Sequence, residues 1–206
     1  GLYSNPDFNA NPSRSIISDS SVFYLTFLPA NSPQNGLRLK EYRNTNFNSL
    51  TPQNYCLFTS KVGFYNLYNY GKGFSLQGSQ TVNPEYVKAE GFVGSYFGSG
   101  TSIPAFPATV PTPNASLEGP NPQLSFQSIG ANDNVLVSND HHLKVNISND
   151  NVSYTTVFDT LFDGITVIKK ELEFSKNQIG NETYFRFTPE FITGVPYQAH
   201  ALAYIN

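Results

Sequence analysis

Three features of the sequence predict an all-β fold, an antiparallel β-sandwich. Apolar and polar residues alternate with a period of two wherever a period is clear, as strands with one buried face require. Short turn signals separate these runs, which indicates hairpins, and helical spacing is not sustained anywhere in the chain. A chain of 206 residues can bury one sizeable core, so we expect residues 1–206 to form a single domain.

The chain opens with an extended lead-in. Pro6 and Pro12 disfavour a helix there, because each lacks a backbone N–H and restricts the residue before it. There is no basic region followed by an apolar stretch, so we interpret residues 1–8 as the join to a longer polypeptide whose C-terminal domain this is. The next run, Val22–Leu28, predicts a strand with its phenylalanines and a leucine on one side.

Later runs repeat the pattern. Leu143–Ser148 alternates apolar and polar residues, and Phe185 and Phe187 flank Arg186 in the same way. The turn signals between such runs are Asn35-Gly36, Tyr70–Gly73, Asn149–Asn151, Asp163-Gly164 and Gly180-Asn181.

Residues Gly91–Pro122 differ in composition, because glycine and serine give way to repeated prolines. This predicts one long loop, and long loops in compact domains are usually functional or packed on a neighbour. We expect it to cross a subunit surface, with Phe97 and Phe106 as anchors. Phe158–Leu161 is compatible with one short helical turn.

Aromatic residues are abundant, with 17 Phe and 13 Tyr in the chain and a dense stretch at Phe64–Tyr70. They exceed what one sandwich core normally needs, so we expect the surplus to be covered by other subunits or used for binding. Tyr197 is expected at the same subunit interface. The alternative is that the rings fill a large monomeric core.

Composition also limits the partners. Charged residues make up 13% of the chain and the formal net charge is -3, which argues against nucleic acid and anionic membranes. No run of about 18 apolar residues occurs, so no membrane insertion is expected.

Motifs for chemistry are nearly absent. We expect Cys56, the single cysteine, to be a buried apolar residue, and His200 to be a hydrogen-bonded interface or surface histidine. Asp140-His141-His142 lacks a further ligand at the required spacing, and neighbouring histidines in a strand point to opposite faces. With no nucleophile elbow, no phosphate-binding glycine motif and no carboxylate pair, we predict no catalytic residue, no metal and no cofactor.

Six short segments resemble adenovirus fibre proteins in the order expected for that family. Leu2–Asp7 followed by Asn11–Ile16 is similar to the join between the fibre shaft and its head (knob). The other similar segments are Val22–Leu28, Asn83–Tyr86 with Gly91-Phe92, and Tyr197–Ile205. Departures at Tyr3, Ser13 and Val93–Ser95 place the chain nearest the long fibres of avian adenoviruses.

This resemblance implies a homotrimer of antiparallel β-sandwiches on the virion surface, as part of a capsid fibre assembled in the host nucleus. It also implies attachment to a host cell-surface protein, of which the coxsackie and adenovirus receptor is the family's example. The receptor contacts that it implies are Asn11, Pro12, Arg14, Asp19 and Tyr96. A lysine that the family uses before the second strand has no counterpart, since Ser20 and Ser21 stand there.

A second hypothesis is a carbohydrate-binding sandwich from a viral, phage or pilus tip, in which exposed tyrosines stack on a sugar. Arg38, Lys40 and Arg43 beside Tyr42 suit an anionic glycan such as sialic acid. The same residues equally suit a solvated edge strand. A chain that binds neither kind of partner would be a structural cap for the trimer.

Overall fold

The computed structural model of the protein describes residues 10, 54–71, 74–75, 81–82 and 88–206. These residues form β-strands and connecting segments, with a short 3-10 turn at Lys176–Gln178 and no α-helix. The strands are β1 (Val62–Gly63), β2 (Leu67–Tyr70), β3 (Phe74–Ser75), β4 (Thr81–Val82), β5 (Glu90–Val93), β6 (Phe106–Pro111), β7 (Gln123–Gly130), β8 (His141–Ser148), β9 (Thr155–Phe162), β10 (Val167–Glu173), β11 (Glu182–Pro189) and β12 (His200–Ile205).

Two four-stranded antiparallel sheets make up the body of the described structure. The first sheet has the order β1-β12-β7-β10 and the second the order β6-β11-β8-β9. Strands β2 and β5 form a separate pair, as do β3 and β4. The predicted fold class, an antiparallel β-sandwich, is confirmed.

The alternation predicted for β8 and β11 is confirmed. Leu143, Val145 and Ile147 are buried between the sheets, while the intervening side chains face outwards. Phe185 and Phe187 are buried in the same way on either side of an exposed arginine. The predicted turns at Asn149–Asn151 and Asp163-Gly164 lie where expected, between successive strands.

Large apolar side chains fill the space between the sheets. Phe126 and Phe187 are fully buried and meet edge to face, with ring centroids 5.3 Å apart. Burying one such ring contributes about 2 kcal/mol, so this layer is the main source of stability. The other fully buried apolar residues of the same cluster include Phe97, Leu124, Leu143, Val145, Ile147, Leu202 and Ile205.

Strand β12 is buried on both faces. Leu202 belongs to the core between the sheets, whereas Ala201 and Ala203 pack on the other face with Ala89 and Val93. Small side chains on that outer face let neighbouring backbone approach closely. This outer apolar face of β12 is therefore covered by the chain itself.

Residues Gly91–Pro122 are not one long loop, because β6 and most of β5 lie within this range. Phe158–Leu161 is part of β9 and not a helical turn, since cross-strand pairing with β8 continues through it. Phe97 has no exposed surface, because it packs in the core between the sheets; its expected part in a subunit contact stays a prediction. Phe106 is half-buried and packs on Phe64 and Phe97, with ring centroids 5.2 and 5.5 Å away.

Two further predictions are wrong. Cys56 is exposed, because the aromatic run around it forms an edge of the molecule and not part of the core. His200 is completely buried, and neither ring nitrogen has a hydrogen-bond partner in the described structure.

Several predicted positions lie outside the described residues: the lead-in with Asn11, Pro12, Arg14 and Asp19, the strand Val22–Leu28, the turn Asn35-Gly36 and the basic run Arg38–Arg43. No helix in the described part of the chain is long and apolar enough to cross a membrane.

Candidate functional site

A cleft of about 590 Å³ lies at one end of the sandwich. It is bounded by the segment Tyr55–Ser60, the connection between β6 and β7, and the end of β10. Small-molecule sites usually measure about 300–1,000 Å³. We call this space the end cleft.

The floor of the end cleft is apolar. Val110, Leu124, Phe174 and Phe185 are buried core residues that also line it. Phe174 and Phe185 meet edge to face with centroids 6.4 Å apart, which fixes the shape of the floor.

One wall of the end cleft carries exposed rings. The segment Tyr55–Ser60 belongs to no strand, and Tyr55 and Phe58 are 39% and 58% exposed. The Tyr55 ring lies against Gly119, where an added Cβ would sit only 3.2 Å from Tyr55 Cδ2. The glycine thus leaves room for the ring at the mouth of the cleft.

Polar side chains also line the end cleft. Asn121 Nδ2 donates to Glu173 Oε1 over 2.8 Å, and both side chains are exposed. Glu171 and Glu173 are two residues apart on β10, so they share one face, opposite Ser125 and Gln123 of β7. The end cleft therefore combines flat apolar surface with an amide and two carboxylates.

Lys176 holds in place the loop between β6 and β7, which carries Asn121. Its Nζ donates to the carbonyl oxygens of Leu117 and Gly119, over 2.9 and 2.6 Å. Asn206 also lines the cleft, and its Oδ1 is buried without a donor in the described structure. A buried unpaired acceptor costs about 1–3 kcal/mol.

A second surface brings together two of the predicted site residues. Tyr96 lies between Tyr70 and Tyr197, which are 47% and 44% exposed. Its OH donates to Oδ1 of the buried Asn69 over 2.9 Å, and Asn69 Nδ2 donates to Ala89 O. Burial, then the neighbouring Tyr197 and Tyr70, raises the pKa of Tyr96, so its phenol stays neutral. We call Tyr70, Tyr96 and Tyr197 the tyrosine cluster.

A third group is buried near the other end of the sandwich. Asp140 Oδ1 lies 2.8 Å from His141 Nδ1 and accepts from Gly164 N–H over 2.7 Å. Burial raises the pKa of Asp140, but the hydrogen bonds from Gly164, Asn134 and His141 outweigh it and the pKa is lowered. These bonds connect the β7–β8 loop and the β9–β10 loop with the first residue of β8, which indicates a structural role.

His200 packs on this group, with its ring centroid 4.8 Å from that of His141. Burial, assisted by His141 and opposed by Asp140, lowers the pKa of His200 to about 3. His142 lies on the opposite face from His141 and binds Asp159, as expected for neighbours in a strand. Within the described residues, no three His, Cys, Asp or Glu side chains are arranged to hold a metal ion.

The end cleft was not anticipated from the sequence. The run around Tyr55 has the composition of a core strand, and Glu173 fits an ordinary alternating strand. Neither pattern signals that the fold places Tyr55, Asn121 and Glu173 around one cavity. The proline-rich segment before β7 was the available signal, because such segments often carry function.

Comparisons with known proteins identify no family. No family model matches, and no curated protein matches. Two solved structures are similar in part. One is dimeric latent PorU from Porphyromonas gingivalis, at 10% identity and a TM-score of 0.45, covering 70% of this chain. The other is the carbohydrate-binding module CBM36 in complex with calcium and xylotriose, at 12% identity and a TM-score of 0.37, covering 72% of this chain and 98% of the module. The chain spans 12% of the length of PorU, and neither likeness assigns it a function.

Proposed function

We propose that this protein is a carbohydrate-binding β-sandwich that holds a glycan in the end cleft. The observation that supports the proposal is that an exposed aromatic ring, Tyr55, and a hydrogen-bonded polar pair, Asn121 and Glu173, line the same open cavity.

The physical reason is the chemistry of sugars. A pyranose ring has an apolar face of C–H groups and an edge of hydroxyl groups. The Tyr55 ring offers a flat apolar surface to the face, and carboxylate and amide groups offer hydrogen bonds to the edge. Because Tyr55, Asn121 and Glu173 line the same cleft, one sugar unit can contact both kinds of surface.

A glycan array at micromolar protein, followed by calorimetry of the hits, tests the proposal. Tyr55→Ala should weaken binding at least about tenfold, which corresponds to a loss of about 1.4 kcal/mol. Phe191→Ala is the matched control, because Phe191 is 78% exposed and does not line the cleft. Equal loss in both variants, or no loss in Tyr55→Ala, would contradict the assignment to this cleft.

Cys56 provides an independent readout. It is exposed, it lines the end cleft and it is the single cysteine of the chain. A glycan bound in the cleft should slow maleimide labelling of Cys56. Labelling at an unchanged rate under saturating glycan would place the bound glycan elsewhere.

A second candidate function is the trimeric viral attachment head that binds a host protein. The tyrosine cluster favours it, because Tyr96 and Tyr197 lie together on a surface held in place by Asn69. Light scattering should then give a mass near three times 22.8 kDa, and a receptor ectodomain should be captured by the wild type but not by Tyr96→Ala. A clean monomer would rule out the trimeric head.

A further inference from the structure

We infer that the end cleft selects uncharged sugars because Asn121 and Glu173 form hydrogen bonds with a pair of neighbouring hydroxyl groups. This inference rests on the proposed function and narrows it to a class of ligand.

The pair presents one donor and one acceptor side by side. Asn121 uses one amide N–H on Glu173 Oε1, which leaves its second N–H without a protein partner in the described structure. Glu173 likewise keeps Oε2, and both side chains are exposed. An amide nitrogen only donates and an ionised carboxylate only accepts.

Neighbouring hydroxyls on a sugar ring match this pattern. One hydroxyl oxygen accepts from Asn121 Nδ2, and the other hydroxyl donates to Glu173 Oε2. Because Asn121 and Glu173 already bind each other, little freedom is lost when the ligand binds. A hydrogen bond to a charged acceptor is also stronger than a neutral one.

The net negative charge of the cleft lining excludes acidic sugars from the end cleft. The charged side chains that line the cleft are Glu171, Glu173 and Lys176, two negative and one positive, so the lining is net negative by one charge. Lys176 Nζ donates to Leu117 O and Gly119 O, so it is committed to the loop. A sugar carboxylate would meet the two glutamates of β10 with no arginine in the lining to bind it.

Matched neutral and acidic glycans test the inference: lactose against sialyllactose, and a neutral oligosaccharide against its uronic acid counterpart. The neutral member of each pair should bind at least about fivefold more tightly at low salt, and the ratio should shrink as salt rises. Equal or tighter binding of the acidic member in the cleft overturns this inference alone. Binding of neither member overturns the proposed function, and the inference falls with it.

Two glutamine variants separate recognition from charge. Glu173→Gln keeps an oxygen for Asn121 but replaces the ligand acceptor, so binding of the neutral sugar should fall about tenfold. Glu171→Gln removes one of the two negative charges of the lining, so it should improve acidic binding severalfold. Thermal unfolding of both variants checks the fold. Unchanged neutral binding in Glu173→Gln contradicts the inference.

Discussion

His200 and Phe97 stack ring on ring inside the protein, with centroids 5.6 Å apart and planes inclined by 24°. Their backbones also pair, since each N–H donates to the other's carbonyl oxygen over 2.9 and 2.8 Å. The stack explains how a histidine without hydrogen bonds is tolerated at this position. It packs as an aromatic ring and leaves two polar nitrogens unsatisfied.

The first prediction concerns acid stability. The pKa of His200 is about 3 in the folded protein, below the ordinary value of about 6.5 in an unfolded chain. The unfolded chain therefore binds a proton that the folded protein does not, and the free energy of unfolding should fall as pH drops from about 6.5 towards 3. His200→Phe should flatten this dependence and stabilise the protein by about 1 kcal/mol at pH 7.

Urea unfolding of both proteins at pH 7, 5.5 and 4 measures the effect. His142→Gln is the control, because His142 is partly exposed and bound to Asp159. If His200→Phe keeps the full pH slope of the wild type, the assignment to His200 is wrong.

Asp140→Asn should destabilise the protein, because Asp140 accepts from Gly164 N–H with Oδ1 and from Asn134 N–H with Oδ2. Asparagine replaces one of these oxygens with an amide nitrogen, which cannot accept, so one of the two hydrogen bonds is lost. The expected cost is about 1–3 kcal/mol at pH 7. The lowered pKa means that this stabilisation is present above about pH 4 and is lost as pH falls through the folded value. Chemical denaturation at pH 7 and pH 3 should show the two proteins converging in acid.

Two glycines with positive φ should respond differently to alanine. Gly98 has φ +138°, and an added Cβ would lie 2.0 Å from the backbone oxygen of Gln198. Gly194 has φ +84°, and its nearest atom would be Val137 Cγ2 at 3.8 Å. Gly194→Ala should cost about 1 kcal/mol from backbone strain, and Gly98→Ala clearly more, because backbone must move. Melting temperatures of the two variants test the difference, and equal values would contradict it.

Asn69→Ala should loosen the tyrosine cluster. It leaves the hydroxyl of Tyr96 and the carbonyl oxygen of Ala89 without their partner, at a cost of about 1–3 kcal/mol. Because burial raises the pKa of Tyr96 and the hydrogen bond to Glu182 raises the pKa of Tyr184, two tyrosines of the described part of the chain should titrate above the ordinary value of about 10. Spectroscopic titration of wild type, Asn69→Ala and Tyr96→Phe should show one high-pH titration fewer in Tyr96→Phe, and an unchanged number in that variant would refute the assignment.

The sequence predicts the β-sandwich well where one face of a strand is buried, as in β8 and β11. It fails for β6, because Pro107 and Pro111 resemble loop residues. They are tolerated because β6 lies at the edge of its sheet and pairs on one side within it. The burial of His200 and the exposure of Cys56 depend on packing against segments that are distant in sequence. Local sequence pattern does not reveal that packing.

The end cleft could not be predicted from local sequence pattern, for the same reason. Tyr55 and Gly119 meet across 64 positions, and Asn121 and Glu173 across 52. These residues come together only once the sheets have formed. Periodicity describes each strand by itself, so it identifies the layers of the sandwich and not the cavity at their end.

Enclosure of β12 on both faces has a kinetic consequence. Its partners lie far back in the chain, as the bond from Ser128 Oγ to Ala201 O across 73 positions illustrates. Such distant pairings close slowly. Until β12 docks, the middle of the first sheet lacks a strand and the apolar flank of β7 stays open to other molecules. The folding chain is thus most prone to aggregate before β12 has paired with β7.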